Sequence, residues 1–385
     1  MNKFLLLILF VSCTQSSLIA QTTLSKTIIS NGVTRSYRIY IPAIYNSSNA
    51  VPLVFNFHGY GSNNLQQEAH GDFRPIADTA NFIIVHPQGL SNAWNNFGLI
   101  GSSPDDIGFI SNLIDTVKSL YNINLNRVYS TGLSNGGFMS YDLACLLSSR
   151  FAAIASVAGS MTAIHLNACN PLHPLPVMQV HANTDAVVSY TGTSGIIAST
   201  HIDSLVKYWV LKNNCNPIPN IINIPDIVTT DNCNVEHYIY SGGDKGSTVE
   251  LYKIINGGHT WPGAAFAGSS GNTNMDINAS KEIWRFFSQY SLDNLGAPAS
   301  VQSTELLSFN IFPNPNQGHF NLQFNEELFE ANLTIRNIYG NIVSHKNNIS
   351  GKNFNIDMPS NKNGIYFLEL NHNKQIYRTK FITIK

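Results

Sequence analysis

Thr131-Gly132-Leu133-Ser134-Asn135-Gly136-Gly137 decides how this chain is read. The stretch contains Gly-x-Ser-x-Gly, with a strand-like run at 127–131 before it and a helix-like run at 138–147 after it. A serine between glycines at a strand-to-helix junction describes a nucleophile elbow. The turn is so sharp that only glycine on either side lets two backbones pass. Such an elbow lifts the hydroxyl above a sheet and sets it at a helix N-terminus, where free N–H groups and the helix dipole favour negative charge.

A serine becomes a nucleophile only beside a base, and the base needs an orienting carboxylate. On folds with this elbow the acid and then the histidine follow the serine along the chain. Residues 176–182 read as a buried strand, and Asn183-Thr184-Asp185 leaves its carboxyl end, where such folds place functional loops. A second strand at 248–255 runs into Asn256-Gly257-Gly258-His259-Thr260-Trp261-Pro262-Gly263. The expectation is Ser134 as nucleophile, His259 as base and Asp185 as its partner. His181 and His237 are rival bases, but both lie in strand-like runs and read as satisfied, partly buried histidines. Asp203, Asp226, Asp231 and Asp244 lack the strand-end position.

The stretch 51–57 is a further buried strand, and it enters His58-Gly59-Tyr60-Gly61-Ser62. An oxyanion hole needs two N–H donors aimed at the tetrahedral oxygen. Here they are expected from Asn135, next to the nucleophile, and from Tyr60. His58 reads as a loop-bracing residue. Trp94 and Trp261 are the candidate substrate contacts, because a flat indole stacks on an aromatic acyl group or a sugar.

These segments resemble a family of secreted esterases that includes polyhydroxybutyrate depolymerase-like proteins and feruloyl esterases of the carbohydrate esterase type. The matching residues are 35–42, His58-Gly59-Tyr60-Gly61, Trp94-Asn95, 105–110, Gly132 to Gly137, His181 to Val188, and Gly258-His259-Thr260-Trp261-Pro262-Gly263. The similarity runs from residue 22 to near 290. It implies an α/β-hydrolase fold, a Ser134–His259–Asp185 triad and ester hydrolysis through an acyl-enzyme. The implied substrates are feruloyl or acyl esters of plant polysaccharide, with a polyester of the polyhydroxybutyrate kind as the alternative. A serine peptidase and a non-catalytic carbohydrate-binding protein are the rivals from other classes. Where the family often carries Gly-Thr or Gly-Glu before the acid, this chain has Ala182-Asn183-Thr184. No cofactor and no metal are expected.

At 385 residues the chain exceeds one typical domain. Its 43% hydrophobic content suffices for a core, and a net charge of −1 gives no case for nucleic acid or an anionic membrane as partner. The N-terminus reads as a signal peptide over 1–20, with Lys3 before the apolar run 4–11. Lipid attachment at Cys13 is the alternative. No segment is long enough to span a bilayer. Removal of the leader takes Cys13 and leaves four of the five cysteines. An even count in an exported chain implies disulfides, and the sequence-adjacent choice is Cys145–Cys169 with Cys215–Cys233.

Strands expected at 37–41, 53–57, 82–85, 127–131, 152–157, 177–181, 235–240 and 249–255 alternate with helices at 105–121, 136–148, 200–213 and 277–290. This is the pattern of a mostly parallel sheet flanked by helices. Asp105 and Asp106 stand at a helix-start signal. The expected domains are an esterase at 22–292, a linker at 293–306 and a small C-terminal β-sandwich at 307–385, where short alternating strands are separated by turn clusters. Residues 312–318, Ile338-Tyr339-Gly340 and Asn363 to Leu368 resemble the C-terminal sorting domain of type IX secretion. That resemblance implies passage through the secretion machinery to the cell surface or medium. A carbohydrate-binding module is the other reading of this tail.

Overall fold

The computed structural model describes residues 22–96, 104–193, 198–265, 270–295, 309–337, 340–358, 363–372 and 375–384. The expected leader, Cys13, most of the expected linker and the Ile338-Tyr339 pair lie outside them. The chain divides into two compact units, Met1–Ser300 and Val301–Lys385.

The first unit opens with β1 (Thr22–Ser30) and β2 (Val33–Ile41), an antiparallel hairpin. Its turn is Asn31-Gly32, both at positive φ, the geometry that matches the twist of the paired strands. β1 was not among the expected strands, although Asn-Gly is a hairpin signal. Next come β3 (Val51–Phe57), α1 (Asn64–His70), α2 (Arg74–Ala80) and β4 (Ile83–Pro87). α3 (Asp106–Leu120) starts at Asp105, whose carboxylate accepts from the Gly108 amide at 2.7 Å. β5 (Ile123–Leu133) and α4 (Asn135–Leu146) meet at Ser134. β6 (Ala153–Val157), α5 (Ala163–Ala168), β7 (Val177–Ala182) and α6 (Ile202–Lys212) follow. β8 (Asn220–Ile224), β9 (Asn234–Tyr240), β10 (Val249–Ile255), α7 (Ala279–Phe287) and α8 (Leu292–Leu295) complete the unit.

These strands form one ten-stranded sheet in the order β1-β2-β4-β3-β5-β6-β7-β10-β9-β8. From β4 to β10 every neighbour is parallel, and an antiparallel pair closes each side. Side-chain alternation divides each strand between two cores. Leu53, Phe55 and Phe57 pack with Phe109 and Leu113 of α3 and with Met139 and Leu143 of α4. Val54 and Tyr129 face the other way, toward Phe73, Ala77, Ile283 and Phe286. Because the central strands are parallel, their carboxyl ends lie along one edge, and the loops carrying residues 58–60, 134, 183–185 and 256–259 all leave from it.

Cys145 and Cys169 form the expected disulfide, joining the end of α4 to the residue after α5. The second expected pair is not formed: Cys215 and Cys233 are free thiols, both buried. The physical reason is the strand between them. Cys215 Sγ lies 3.7 Å from the Ser247 carbonyl, ahead of β10, while Cys233 Sγ lies 3.7 Å from the Asn256 carbonyl, beyond its far end. A strand of 7 residues separates those carbonyls, about 20 Å of extended chain, against the roughly 6 Å Cα spacing that a disulfide needs.

The second unit is a five-stranded antiparallel sheet built from β11 (Phe309–Phe312), β12 (His319–Asn337), β13 (Ile342–Asp357), β14 (Gly364–His372) and β15 (Gln375–Thr383). Where short strands were expected, His319–Asn337 forms one long β12, which pairs with β11 early, with β14 late and with β13 along most of its length. Register shifts along the β12–β13 ladder are what long strands show when they bend to fold a sheet over its own core. That core holds Phe320, Leu322, Leu333, Leu368 and Phe381. No helix among the described residues is long and apolar enough to cross a membrane.

Candidate active site

Ser134 sits at φ 55°, ψ −118°, a backbone conformation that L-residues rarely adopt. Its amide donates to the Val157 carbonyl at 2.8 Å, and its carbonyl accepts from the Gly137 and Phe138 amides, so strand end and helix start are fixed together. The glycines are needed for close approach. A Cβ on Gly136 would stand 2.2 Å from the Phe57 carbonyl oxygen, and one on Gly132 would stand 2.6 Å from Gly136. The elbow is therefore packed against the end of β3, the strand that delivers His58-Gly59.

Asp185 and His259 are brought together by loops from neighbouring strands, β7 and β10. His259 Nδ1 and Asp185 Oδ2 are 2.8 Å apart, and the carboxylate side chain is completely buried. The other oxygen, Oδ1, accepts from the Val187 and Val188 amides at 2.8 and 2.9 Å. Burial alone would raise the Asp185 carboxyl. The hydrogen bond and charge of His259, with help from His181 and the Val188 amide, hold it below its usual range instead. Asp185 is thus an ionised, four-square acceptor that fixes the imidazole with its Nδ1–H inward.

Two residues that sequence reasoning missed tie the acid loop to the base loop. Asn183 Oδ1 accepts from the Asn256 amide at 2.7 Å, and Thr184 Oγ1 donates to the Gly257 carbonyl at 2.6 Å. The departure Ala182-Asn183-Thr184 noted above marks their position. The rival histidines have other partners. His237 hydrogen-bonds Glu250 at 2.8 Å and stacks on Tyr252 within the sheet. His181 is fully buried beneath the acid.

The loop expected to form the oxyanion hole abuts Ser134: a Cβ on Gly59 would meet Ser134 Cβ at 3.5 Å. Neither the Tyr60 nor the Asn135 amide has a backbone acceptor among the described residues, as donors held for a ligand require. His58 braces this loop as a neutral ring. Its Nδ1–H donates to the Gly59 carbonyl at 2.8 Å, and its Nε2 accepts from the Gly89 amide at 3.0 Å. Burial pushes its pKa down to about 4.

Trp94 is completely buried, so it offers no face to a substrate. Its indole N–H donates to the His58 carbonyl at 2.9 Å, and its amide donates to Asn135 Oδ1 at 2.7 Å. Trp94 therefore ties the His58 loop to Asn135, through its indole on one side and its backbone amide on the other. The next residue, Asn95, donates its amide to Asp106 Oδ2 at 2.7 Å, and Asp106 Oδ1 meets Arg35 at 2.6 Å in a buried ion pair. Trp261 is also largely buried, donating to Ser280 Oγ at 3.2 Å, but it lines a cavity of about 290 Å³ with Asp72, Arg74 and Asn278. No cluster of metal-ligating side chains occurs among the described residues.

The Secretion system C-terminal sorting domain family matches residues 310–385. The first unit is similar to a bifunctional acetylxylan esterase/xylanase of Neocallimastix patriciarum, 26% identical, the match covering 68% of this chain and 34% of that longer protein. It is similar also to feruloyl esterase D of Neurospora crassa, 26% identical over 68% of this chain and 84% of the relative. The solved acetyl xylan esterase from Aspergillus awamori superposes with a TM-score of 0.50 at 14% identity, over 69% of this chain and 99% of its own, and shares the fold.

Proposed function

We propose that this chain, which is similar to feruloyl and acetylxylan esterases and ends in a secretion sorting domain, is an esterase that cleaves its esters through Ser134, His259 and Asp185. It is an exported carboxylic ester hydrolase. Ser134 Oγ attacks the ester carbonyl while His259 Nε2 takes its proton. The tetrahedral oxygen is met by the Tyr60 and Asn135 amides. His259 returns the proton to the leaving alcohol, and water then cleaves the acyl-enzyme by the same route. A protonated imidazole cannot act as base, so activity falls in acid.

The observation that carries this reading is the buried Asp185–His259 pair at 2.8 Å, on the same sheet edge as the elbow serine. A structural histidine on the surface has no use for a dehydrated carboxylate dedicated to its Nδ1. The substrate we infer is an acyl ester of plant polysaccharide, feruloyl or acetyl, because those are the substrates named for the relatives.

The test is Ser134→Ala, assayed on methyl ferulate, acetylated xylan, feruloylated xylan and polyhydroxybutyrate film. The substitution should lower kcat by roughly 10⁴-fold or more and abolish labelling by a fluorophosphonate. Retained hydrolysis would overturn the nucleophile assignment. Preference for the polymer film over both xylans would replace the substrate.

A further inference from the structure

A closed line of polar side chains runs through the core beneath the acid. Tyr141 of α4 donates its hydroxyl to Gln179 Oε1 at 2.7 Å. Gln179 Nε2 donates to the Gly159 carbonyl at 2.9 Å and stands 2.9 Å from His181 Nδ1. His181 Nε2 stands 2.8 Å from the Val188 carbonyl and 3.5 Å from Asp185 Oδ2. Tyr141, Gln179 and His181 are all buried.

The proton positions follow from donor and acceptor chemistry. A backbone carbonyl only accepts, so the Gln179 atom facing Gly159 must be the amide nitrogen. The same NH₂ group faces His181 Nδ1 at 2.9 Å, which assigns that nitrogen as acceptor, with the Gly159 carbonyl also beside the ring. The ring proton is left on Nε2, where it donates to Val188 O at 2.8 Å with Asp185 Oδ2 3.5 Å away. Val188 in turn donates its own amide to Asp185 Oδ1. Around His181 the other titratable or charged groups are His259 beyond Asp185, Tyr190 at a ring distance of 6.0 Å, Asp203 bonded to the Tyr190 hydroxyl, and Lys253, in register with His181 on β10. Burial lowers the pKa of His181, in keeping with a neutral ring.

We infer that His181 is a positioning residue for the hydrolysis: Gln179 locks it as the Nε2–H tautomer, and in that form it pins the 185–188 turn and sets a second N–H beside Asp185 Oδ2. The inference rests on the proposed triad. The lock keeps Oδ2 aimed at His259 Nδ1 and takes up part of its charge. Without that N–H, an unshielded Asp185 would hold a protonated His259 more tightly, and the acid limb of the rate profile would move to higher pH.

The tautomer is read first, by ¹⁵N spectroscopy of the histidine rings in the intact protein. His181 should show a protonated Nε2 and a bare Nδ1, uncharged from pH 5 to 8. A protonated Nδ1 or a charged ring in that window overturns the inference. The role is read from His181→Leu and His181→Gln, the second of which keeps an N–H donor. The Leu variant should lose about 30-fold in kcat with KM within twofold, and its acid limb should rise by at least half a pH unit. The Gln variant should recover most of both. A folded Leu variant with unchanged kcat and an unmoved limb sinks the role; if that variant does not fold, the ring spectra and the Gln variant decide. Ser134→Ala separates the two readings: hydrolysis surviving in it removes the triad itself, whereas an inactive Ser134→Ala beside a fully active His181→Leu removes only His181.

Discussion

Trp94 and Asn135 clasp each other: the Trp94 amide donates to Asn135 Oδ1 at 2.7 Å, and Asn135 Nδ2 reaches back to the Trp94 carbonyl at 3.4 Å. Asn135 thus has a buried side chain with one job and a backbone amide with another. Asn135→Ala keeps the amide but leaves the Trp94 N–H without an acceptor, which costs about 1–3 kcal/mol. We expect a fall in kcat of about tenfold with KM little changed. Thermal melts and steady-state kinetics on one model ester check both.

The strained serine makes a trade between stability and activity. Glycine adopts φ 55°, ψ −118° without the penalty of about 1–3 kcal/mol that other residues bear there. Ser134→Gly should therefore be inactive and yet melt a few degrees higher than the native enzyme. Calorimetry alongside the ester assay tests this; an inactive variant that melts lower would mean that Ser134 Oγ contributes more to the fold than its backbone strain removes.

Acid should weaken the fold before it reaches ordinary carboxylates. Burial lowers the pKa of His58 and of His86 to about 4 in the folded chain, against about 6.5 when unfolded. Between those values the unfolded state binds more protons, so stability is full above about 6.5 and is lost as pH falls toward 4, on the order of 3 kcal/mol per histidine across the window. Asp185 and Glu250, both held below their usual range, add further loss only at lower pH. Denaturant melts at pH 7.5, 5.5 and 4.5 should show the decline, and His86→Gln should flatten it. Protonating His58 would also break its bond from the Gly89 amide and loosen the oxyanion loop.

Cysteine chemistry should divide the chain cleanly. Alkylation of unfolded, unreduced protein should label Cys215 and Cys233 and spare Cys145 and Cys169. In the native state both thiols should resist, since burial raises each, Cys233 to about 11. Reducing the disulfide should cost about 3 kcal/mol for a loop of this size. Peptide mapping of the labelled sites checks the assignment.

The strand–turn–helix at Ser134 and the meeting of the loops that carry Asp185 and His259 were legible in the sequence because each is a short local motif at a strand end, where glycine and chain order restrict the choices. Cysteine pairing was legible only in half. Adjacency in sequence does not reveal that Cys215 and Cys233 flank opposite ends of β10. The place of Trp94 was hidden for a related reason: an indole suits a core and a cleft equally well, and only its bonds in the folded loop show it behind Asn135. Gln179 and His181 share a face through simple alternation, but their joint meaning depends on Tyr141 and Gly159, brought from distant segments. β1 was missed although Asn31-Gly32 marks its hairpin turn, and the unbroken length of β12 lay beneath polar residues that resemble turns.

Cys145 stands at the far end of the helix whose opening turn frames the reactive serine. That helix is moored at both extremities, by the elbow at one and by a covalent tie at the other. Fraying it from its loose end would have to drag α5 along. Such mooring converts a brief local opening into one that seldom occurs.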